Sequence, residues 1–198
     1  MPRTWPRPWP PSKIRLPTTV AIIGAGPLGR WLALAAARAG FHVQLEDVMP
    51  ANLHHAQELL RQELGRASLP MVAFVSTIEE AVREADLVID CVPDELESKL
   101  EILWLLDRMA PPRTVLATPT TRLSIADLAS CTYRPERCVA IAQEASSLDE
   151  GGSSEVLLLT TSKTSPETVA LLTRFWSRLG FTPTFAPDPA EAAMADRL

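Results

Sequence analysis

Residues 19–47 constrain the fold more tightly than any other stretch of the chain. They read Thr-Val-Ala-Ile-Ile-Gly-Ala-Gly-Pro-Leu-Gly-Arg, then a run of small and straight-chain residues, then His-Val-Gln-Leu-Glu-Asp. A short apolar strand runs into a glycine fingerprint and a helix, and a second strand ends in an acid. Each part has a mechanical task in holding a dinucleotide. Gly24 permits the tight turn out of the strand, Gly26 lets the backbone approach a pyrophosphate, and Gly29 lets the helix pack close to the sheet. Pro27 at the first helical position gives up an N–H that the helix does not use, and Leu28 follows it. The helix N-terminus offers N–H groups and the positive end of its dipole to phosphate. Asp47 lies 18 residues after Gly29, close to the roughly 20 expected of the acid that accepts ribose hydroxyls. Val48 and Met49 after it supply no arginine for a 2′-phosphate, so the expected cofactor is NAD rather than NADP. Trp31 is bulky for a phosphate-facing turn, and either points away or crowds the cofactor.

The rest of the chain alternates strands with helices, which implies a parallel sheet. Strands are expected at Val20–Ile23, His42–Glu46, Val72–Val75, Leu87–Val92, Val115–Ala117, Cys138–Ala142, Val156–Thr160 and Phe181–Phe185. Helices are expected at Pro27–Ala39, Ala51–Leu64, Glu95–Met109, Ser124–Ala129 and Ser165–Leu179, with a further Ala-rich one at 189–198. Thr77 and Glu80 form a capping box at the start of another. The expected class is α/β, a Rossmann-type, doubly wound, mostly parallel sheet with helices on both faces.

Length and composition bound the function. The 198 residues, 46% of them hydrophobic, suit one domain. Residues 1–17 hold six of the eighteen prolines, with Trp5 and Trp9 among them, and read as a disordered tail ahead of a single domain at 18–198. No apolar run reaches the roughly 18–20 residues that span a membrane, and the N-terminus lacks a signal-like apolar segment. Cys91, Cys131 and Cys138 show no metal or disulfide spacing, and His42, His54 and His55 complete no ligand set with them. Reduced cysteines point to a cytoplasmic protein with no bound metal. Residues 1–45 carry six basic and no acidic side chains, the remainder 13 basic and 24 acidic. An acidic body argues against nucleic acid as the partner. Trp104, Leu105, Leu106 and Trp176 on late helices are candidates for a self-association surface.

These residues together resemble the N-terminal, NAD-binding domain of the 3-hydroxyacyl-CoA dehydrogenase family. The resemblance rests on the glycine segment, on Thr77–Asp90, on Val92–Lys99 (VPDELESK), on Leu116–Ile125 (LATPTTRLSI), on Arg134-Pro-Glu-Arg and on Lys163-Thr-Ser-Pro-Glu-Thr. It covers roughly residues 18–198. It implies NAD as cofactor, a place in fatty acid metabolism, and a nicotinamide half approached by Val92, Pro93, Asp94 and Lys99. It also implies a catalytic set in which a histidine, oriented by a glutamate, takes the substrate proton while Ser and Asn hold the oxygen. Here the histidine position is Ala142 and the Asn position Ala145. The Ser position is Thr121, and the Glu most resembles Glu155. Gln143, Glu144 and Ser146 neighbour the lost base, and the family's late Asn is Asp196. The chain ends where family enzymes enter a helical domain that closes the substrate cleft. The expectation is an NAD(H)-binding protein that is weakly active or inactive alone, a pseudoenzyme. Its alternatives are an oxidoreductase on a 3-hydroxyacyl-CoA or hydroxy acid completed by a separate C-terminal partner, and a non-enzymatic interaction module.

Overall fold

A computed structural model describes residues 19–64, 69–142 and 155–195. The expected tail at 1–17 lies outside them. Eight strands form one sheet in the order β3-β2-β1-β4-β5-β6-β7-β8. They are β1 Thr19–Ile23, β2 His42–Glu46, β3 Val72–Val75, β4 Leu87–Asp90, β5 Val115–Pro119, β6 Cys138–Ile141, β7 Glu155–Thr160 and β8 Thr182–Pro187. β3 to β6 pair in parallel, β7 runs antiparallel to β6, and β8 returns parallel to β7. The described helices are α1 Pro27–Arg38, α2 Pro50–Glu63, α3 Ile78–Val82, α4 Leu96–Met109, α5 Ile125–Ala129, α6 Pro166–Arg178 and α7 Pro189–Ala195. The sheet is the expected mostly parallel α/β sheet. Strand β4 ends at Asp90 rather than Val92, and the Cys91 N–H that follows makes its last bond to β1, at the Ile23 carbonyl.

β1 is buried on both faces, which is why it reads as an unbroken apolar run. Its successive side chains face opposite sides and enter two separate cores. Val20 and Ile22 join Leu32 and Ala36 of α1 with Leu172, Phe175 and Trp176 of α6. Ala21 and Ile23 join Leu103 and Leu106 of α4 with Ile125 and Leu128 of α5. Trp31 points away from the glycine turn and meets Phe181 edge-on at 5.8 Å. Phe181 meets Trp176 at 5.7 Å, and Trp176 meets Phe175 at 5.3 Å. An aromatic chain therefore joins α1 to α6. This corrects the expectation of a Trp176 and Leu106 contact surface: both are fully buried core, and of that group Trp104 alone is exposed, at 47%, beneath the Arg108 guanidinium.

The Arg134-Pro-Glu-Arg segment has a structural task. Arg134 Nε donates to Asp107 Oδ1 at 2.7 Å, and its Nη2 donates to the Ala110 carbonyl at 3.2 Å and to that of Asp107. The guanidinium thus satisfies the last carbonyls of α4, where a cation also suits the dipole.

The tightest contact in the fold lies between α1 and the end of β1. A Cβ on Gly29 would stand 1.8 Å from the carbonyl oxygen of Gly24. Both partners are backbone, so neither can yield. Gly29→Ala should lower stability in urea denaturation by about 3 kcal/mol or more, the upper end of overpacking costs. Gly26→Ala, whose Cβ would meet nothing within 4 Å, should unfold within about 1 kcal/mol of the parent.

Candidate functional site

The strand order reverses between β1 and β4, and in open α/β sheets ligands bind outside the carboxyl ends of the strands at that switch point. Here it is built from the loop after β1 and the loop after β4. Gly24 has φ of +104°, a value natural to glycine. Its N–H donates to the Glu46 carbonyl at 2.8 Å, and Cys91 N–H donates to the Ile23 carbonyl at 2.7 Å. Gly26 is the N-cap of α1, Pro27 follows at the first turn, and no side chain caps the helix. The helix N-terminus therefore faces the crevice with open space over Gly26.

Two cavities of about 590 and 490 Å³ flank this point and share Gly26, Cys91 and Val92. Together they form a two-lobed groove along the strand ends. Glu46, Asp47, Asn52, Ile78 and Ile102 line the lobe over β2. No lysine or arginine is among the described residues lining it. Asp47 braces the glycine loop: Oδ2 accepts from Ala25 N–H at 2.8 Å and Asn52 Nδ2 at 3.1 Å, and Oδ1 accepts from Met49 N–H at 2.8 Å. A carboxylate has about four lone-pair sites, so one acceptor position remains for a ribose hydroxyl. Burial, and then the charge of Asp47, pushes the Glu46 carboxyl up to about 7.

The other lobe holds Pro27, Leu28, Asp94, Thr121 and Arg122. Asp94 Oδ2 accepts from Thr121 N–H at 3.2 Å, and Arg122 Nη2 donates to the Asp94 carbonyl at 3.0 Å. The loops after β4 and β5 are thereby tied across the groove. Asp94 Oδ1 is buried with no partner among the described residues. A buried acceptor left open costs free energy until a donor reaches it. With the bare face of Gly26, it fits an extended, hydroxyl-bearing dinucleotide.

Lys99 is placed differently from the sequence expectation. It is fully buried, and its Nζ meets Asp90 Oδ1 at 3.1 Å, behind the groove rather than in it. Thr118 Oγ1 donates to Asp90 Oδ2 at 2.5 Å and Val92 N–H to Oδ1 at 3.2 Å. Burial raises the Asp90 carboxyl, against the opposing charge of Lys99 and the bond from Thr118. Lys99 therefore supports the floor of the groove instead of touching what lies in it. Cys91 lines both lobes, and burial, followed by the charge of Asp90, pushes its thiol up.

A third cavity of about 310 Å³ adjoins the second lobe through Thr120, Thr121 and Arg122 and extends to Ala142, Leu159 and Asp188. Ala142 stands at the end of β6, and its N–H donates to the Leu157 carbonyl at 2.9 Å. Ala140 pairs with Leu159 and Ile141 with Leu158, so Leu157 is the residue opposite Ala142. Glu155 lies two residues further along β7, about 7 Å away at strand spacing. Thr121 lies in the wall between the groove and the third cavity. Gln143, Glu144, Ala145, Ser146 and Asp196 lie outside the described residues.

Asn52, Arg122 and Asp188 escaped the sequence reading. Asn52 had a usable signal, as a polar residue in the first turn of α2 five places after the acid. Arg122 and Asp188 had none, because their neighbours come from distant loops.

Residues 19–188 match the family described as 3-hydroxyacyl-CoA dehydrogenase, NAD binding domain. The chain belongs to that family and carries its NAD-binding domain, with NAD as the cofactor. A probable 3-hydroxybutyryl-CoA dehydrogenase of Bacillus subtilis is 32% identical over 135 residues, 62% of this chain and 47% of that protein. The L-carnitine dehydrogenase of Pseudomonas putida is 28% identical over 200 residues, 91% of this chain and 58% of that protein. The chain spans about half the length of such relatives. The (S)-3-hydroxybutyryl-CoA dehydrogenase of Ralstonia eutropha superposes with a TM-score of 0.79 at 22% identity, over 88% of this chain and 65% of that one, and shares the fold.

Two outcomes follow from the buried carboxyls. Lys99→Met leaves Asp90 without its cation and should cost about 3–5 kcal/mol, while Lys99→Met with Asp90→Asn should recover most of it; urea denaturation of the two variants decides. Glu46 releases its proton near 4.5 in the unfolded chain and about 7 in the folded one. Protonation therefore favours the folded state, and the stability due to Glu46 is full below 4.5 and lost as pH rises to about 7. In cofactor-free protein, Glu46→Gln should raise the Tm at pH 8 and leave it nearly unchanged at pH 4.

Proposed function

We propose that this chain holds NAD(H) at the β1–β4 crevice and, by itself, oxidises 3-hydroxyacyl-CoA substrates negligibly. The observation that carries this is Ala142 at the end of β6 with Leu157 opposite. Bound NAD supplies the hydride acceptor. What the chain must add is a group that takes the hydroxyl proton as hydride leaves the carbon. A methyl group cannot do so, and loss of a positioned base typically costs about 10²–10⁴ in rate. Thr121 can offer a hydroxyl to the substrate oxygen, but nothing among the described lining residues of the third cavity pairs with it as an oriented base.

On the cofactor side, Gly24, Gly26, Pro27, Leu28 and Gly29 present the helix N-terminus to the pyrophosphate. Asp47 keeps one acceptor position for the adenosine ribose. Val92 and Asp94 border the nicotinamide half, with Asp94 Oδ1 receiving a hydroxyl, while Pro93 lines the lobe over β2. Support for a second ligand that is an acyl-CoA or a hydroxy acid comes from the relatives. One, the 5-formyl-3-hydroxy-2-methylpyridine 4-carboxylate 5-dehydrogenase of Mesorhizobium japonicum, is 29% identical over 174 residues, 83% of this chain and 55% of that protein. Self-association belongs to the same proposal and rests on the exposed Trp104 face of α4. So does a cytoplasmic location, supported by Cys91, Cys131 and Cys138 being free thiols. Among the described residues no helix is long and apolar enough to cross a membrane.

Purified chain given NAD and 3-hydroxybutyryl-CoA should produce NADH at about 0.1 s⁻¹ or slower, two or more decades under a median enzyme. A rate in the ordinary range of about 1–10³ s⁻¹ would contradict the proposal. In calorimetric titration, NADPH should bind about 1–3 kcal/mol more weakly than NADH, because its 2′-phosphate meets Glu46 and Asp47 with no cation beside them.

A further inference from the structure

The third cavity is small and has a single arginine, Arg122, among its described lining residues. Leu123, Ala142 and Leu159 give it an aliphatic wall. At about 310 Å³ it sits at the small end of ligand cavities. Arg122 is the one cationic side chain among the described residues lining this cavity or the adjoining groove lobe. Its Nη2 donates to the Asp94 carbonyl at 3.0 Å, which pins the guanidinium by one corner. Nε and Nη1 have no acceptor among the described residues.

The nearby carboxylates do not claim it. Asp188 Oδ2 accepts from Ser124 Oγ at 2.7 Å and Ala126 N–H at 2.9 Å, and Oδ1 accepts from Ala190 N–H at 2.9 Å. Asp188 is in this way used up fastening the end of β8 to the start of α5. Asp94 Oδ2 is held by Thr121 N–H. Arg122 stands where the two spaces meet: it lines the groove lobe with Gly26 and Pro27, and it lines the third cavity, which Gly26 does not.

We propose that the third cavity is a binding site for a small aliphatic keto or hydroxy acid, whose carboxylate is gripped by Arg122 while its short carbon body rests on Ala142 and Leu159 beside bound NAD(H). A planar guanidinium matches a carboxylate two bonds at a time. The neutral thioester of an acyl-CoA gives Arg122 no such partner. With alanine where a base would stand, the acid is held as a companion ligand and not turned over. The inference rests on the reading of the crevice as the NAD(H) site.

The test is calorimetry on the full chain saturated with NADH, titrated with 3-hydroxybutyrate and with 3-hydroxybutanamide, which differ in charge and little in shape. The acid should bind about ten-fold or more tightly than the amide, the least that a charge-assisted hydrogen bond provides. Arg122→Gln should reduce the preference to about two-fold or less, and Arg122→Lys should keep part of it. Equal binding of acid and amide to the unaltered protein overturns the inference, as does a preference that survives Arg122→Gln. Inorganic phosphate competing as well as the acid marks a general anion site and overturns the carboxylate assignment. A protein that binds NADH but not the acid refutes this inference alone; one that binds no NADH refutes the crevice reading and this inference with it.

Discussion

Everything at the crevice depends on how closely α1 approaches the end of β1. The approach is a backbone contact between Gly24 and Gly29, tight enough that one added carbon would stand 1.8 Å from an oxygen. That contact aims the helix N-terminus at the groove, and the open face of Gly26 follows from it. Ala33, Ala36 and Ala37 continue the close packing along α1. Asp47 then locks the turn from the neighbouring strand through the Ala25 N–H. A polar side chain thus holds the backbone that a phosphate would need, and keeps one acceptor position for a ribose.

The second half of the groove is held from beneath. Lys99 reaches back from α4 to Asp90 at the end of β4, and Thr118 of β5 bonds the same carboxylate. Two loops leave the sheet directly above this cluster and are joined by Asp94, Thr121 and Arg122. Buried ion pairs contribute little net stability, while removal of one partner is costly. The pair therefore ties the first turn of α4 to the end of β4, with Thr118 of β5 on the same carboxylate. Past that groove Ala142 follows β6 with Leu157 across from it on β7.

The sheet was legible in the sequence because its strands are apolar runs bounded by glycines, prolines and capping residues, and those signals are local. The glycine turn was legible for the same reason, since each glycine answers to a different steric demand within six residues. The roles of individual side chains were legible only where the fold left them no choice. Lys99 was misplaced because its spacing from Asp94 says nothing about which way a long side chain turns, and the buried Asp90 decides that. Trp176 and Leu106 looked like surface because an amphipathic pattern shows that a stripe is buried, not which other helix covers it. Arg122 and Asp188 acquire meaning only through partners 28 and 62 or more positions away.

The most direct measurement of the account is a crystal structure of the chain grown with NADH. The pyrophosphate should lie over Gly26 at the start of α1, the adenosine ribose beside Asp47, and a nicotinamide-ribose hydroxyl within hydrogen-bonding distance of Asp94 Oδ1. Lys99 should still be turned inward onto Asp90. A dinucleotide bound elsewhere, or one that draws Lys99 out of its pair with Asp90 to contact the cofactor, would contradict this arrangement.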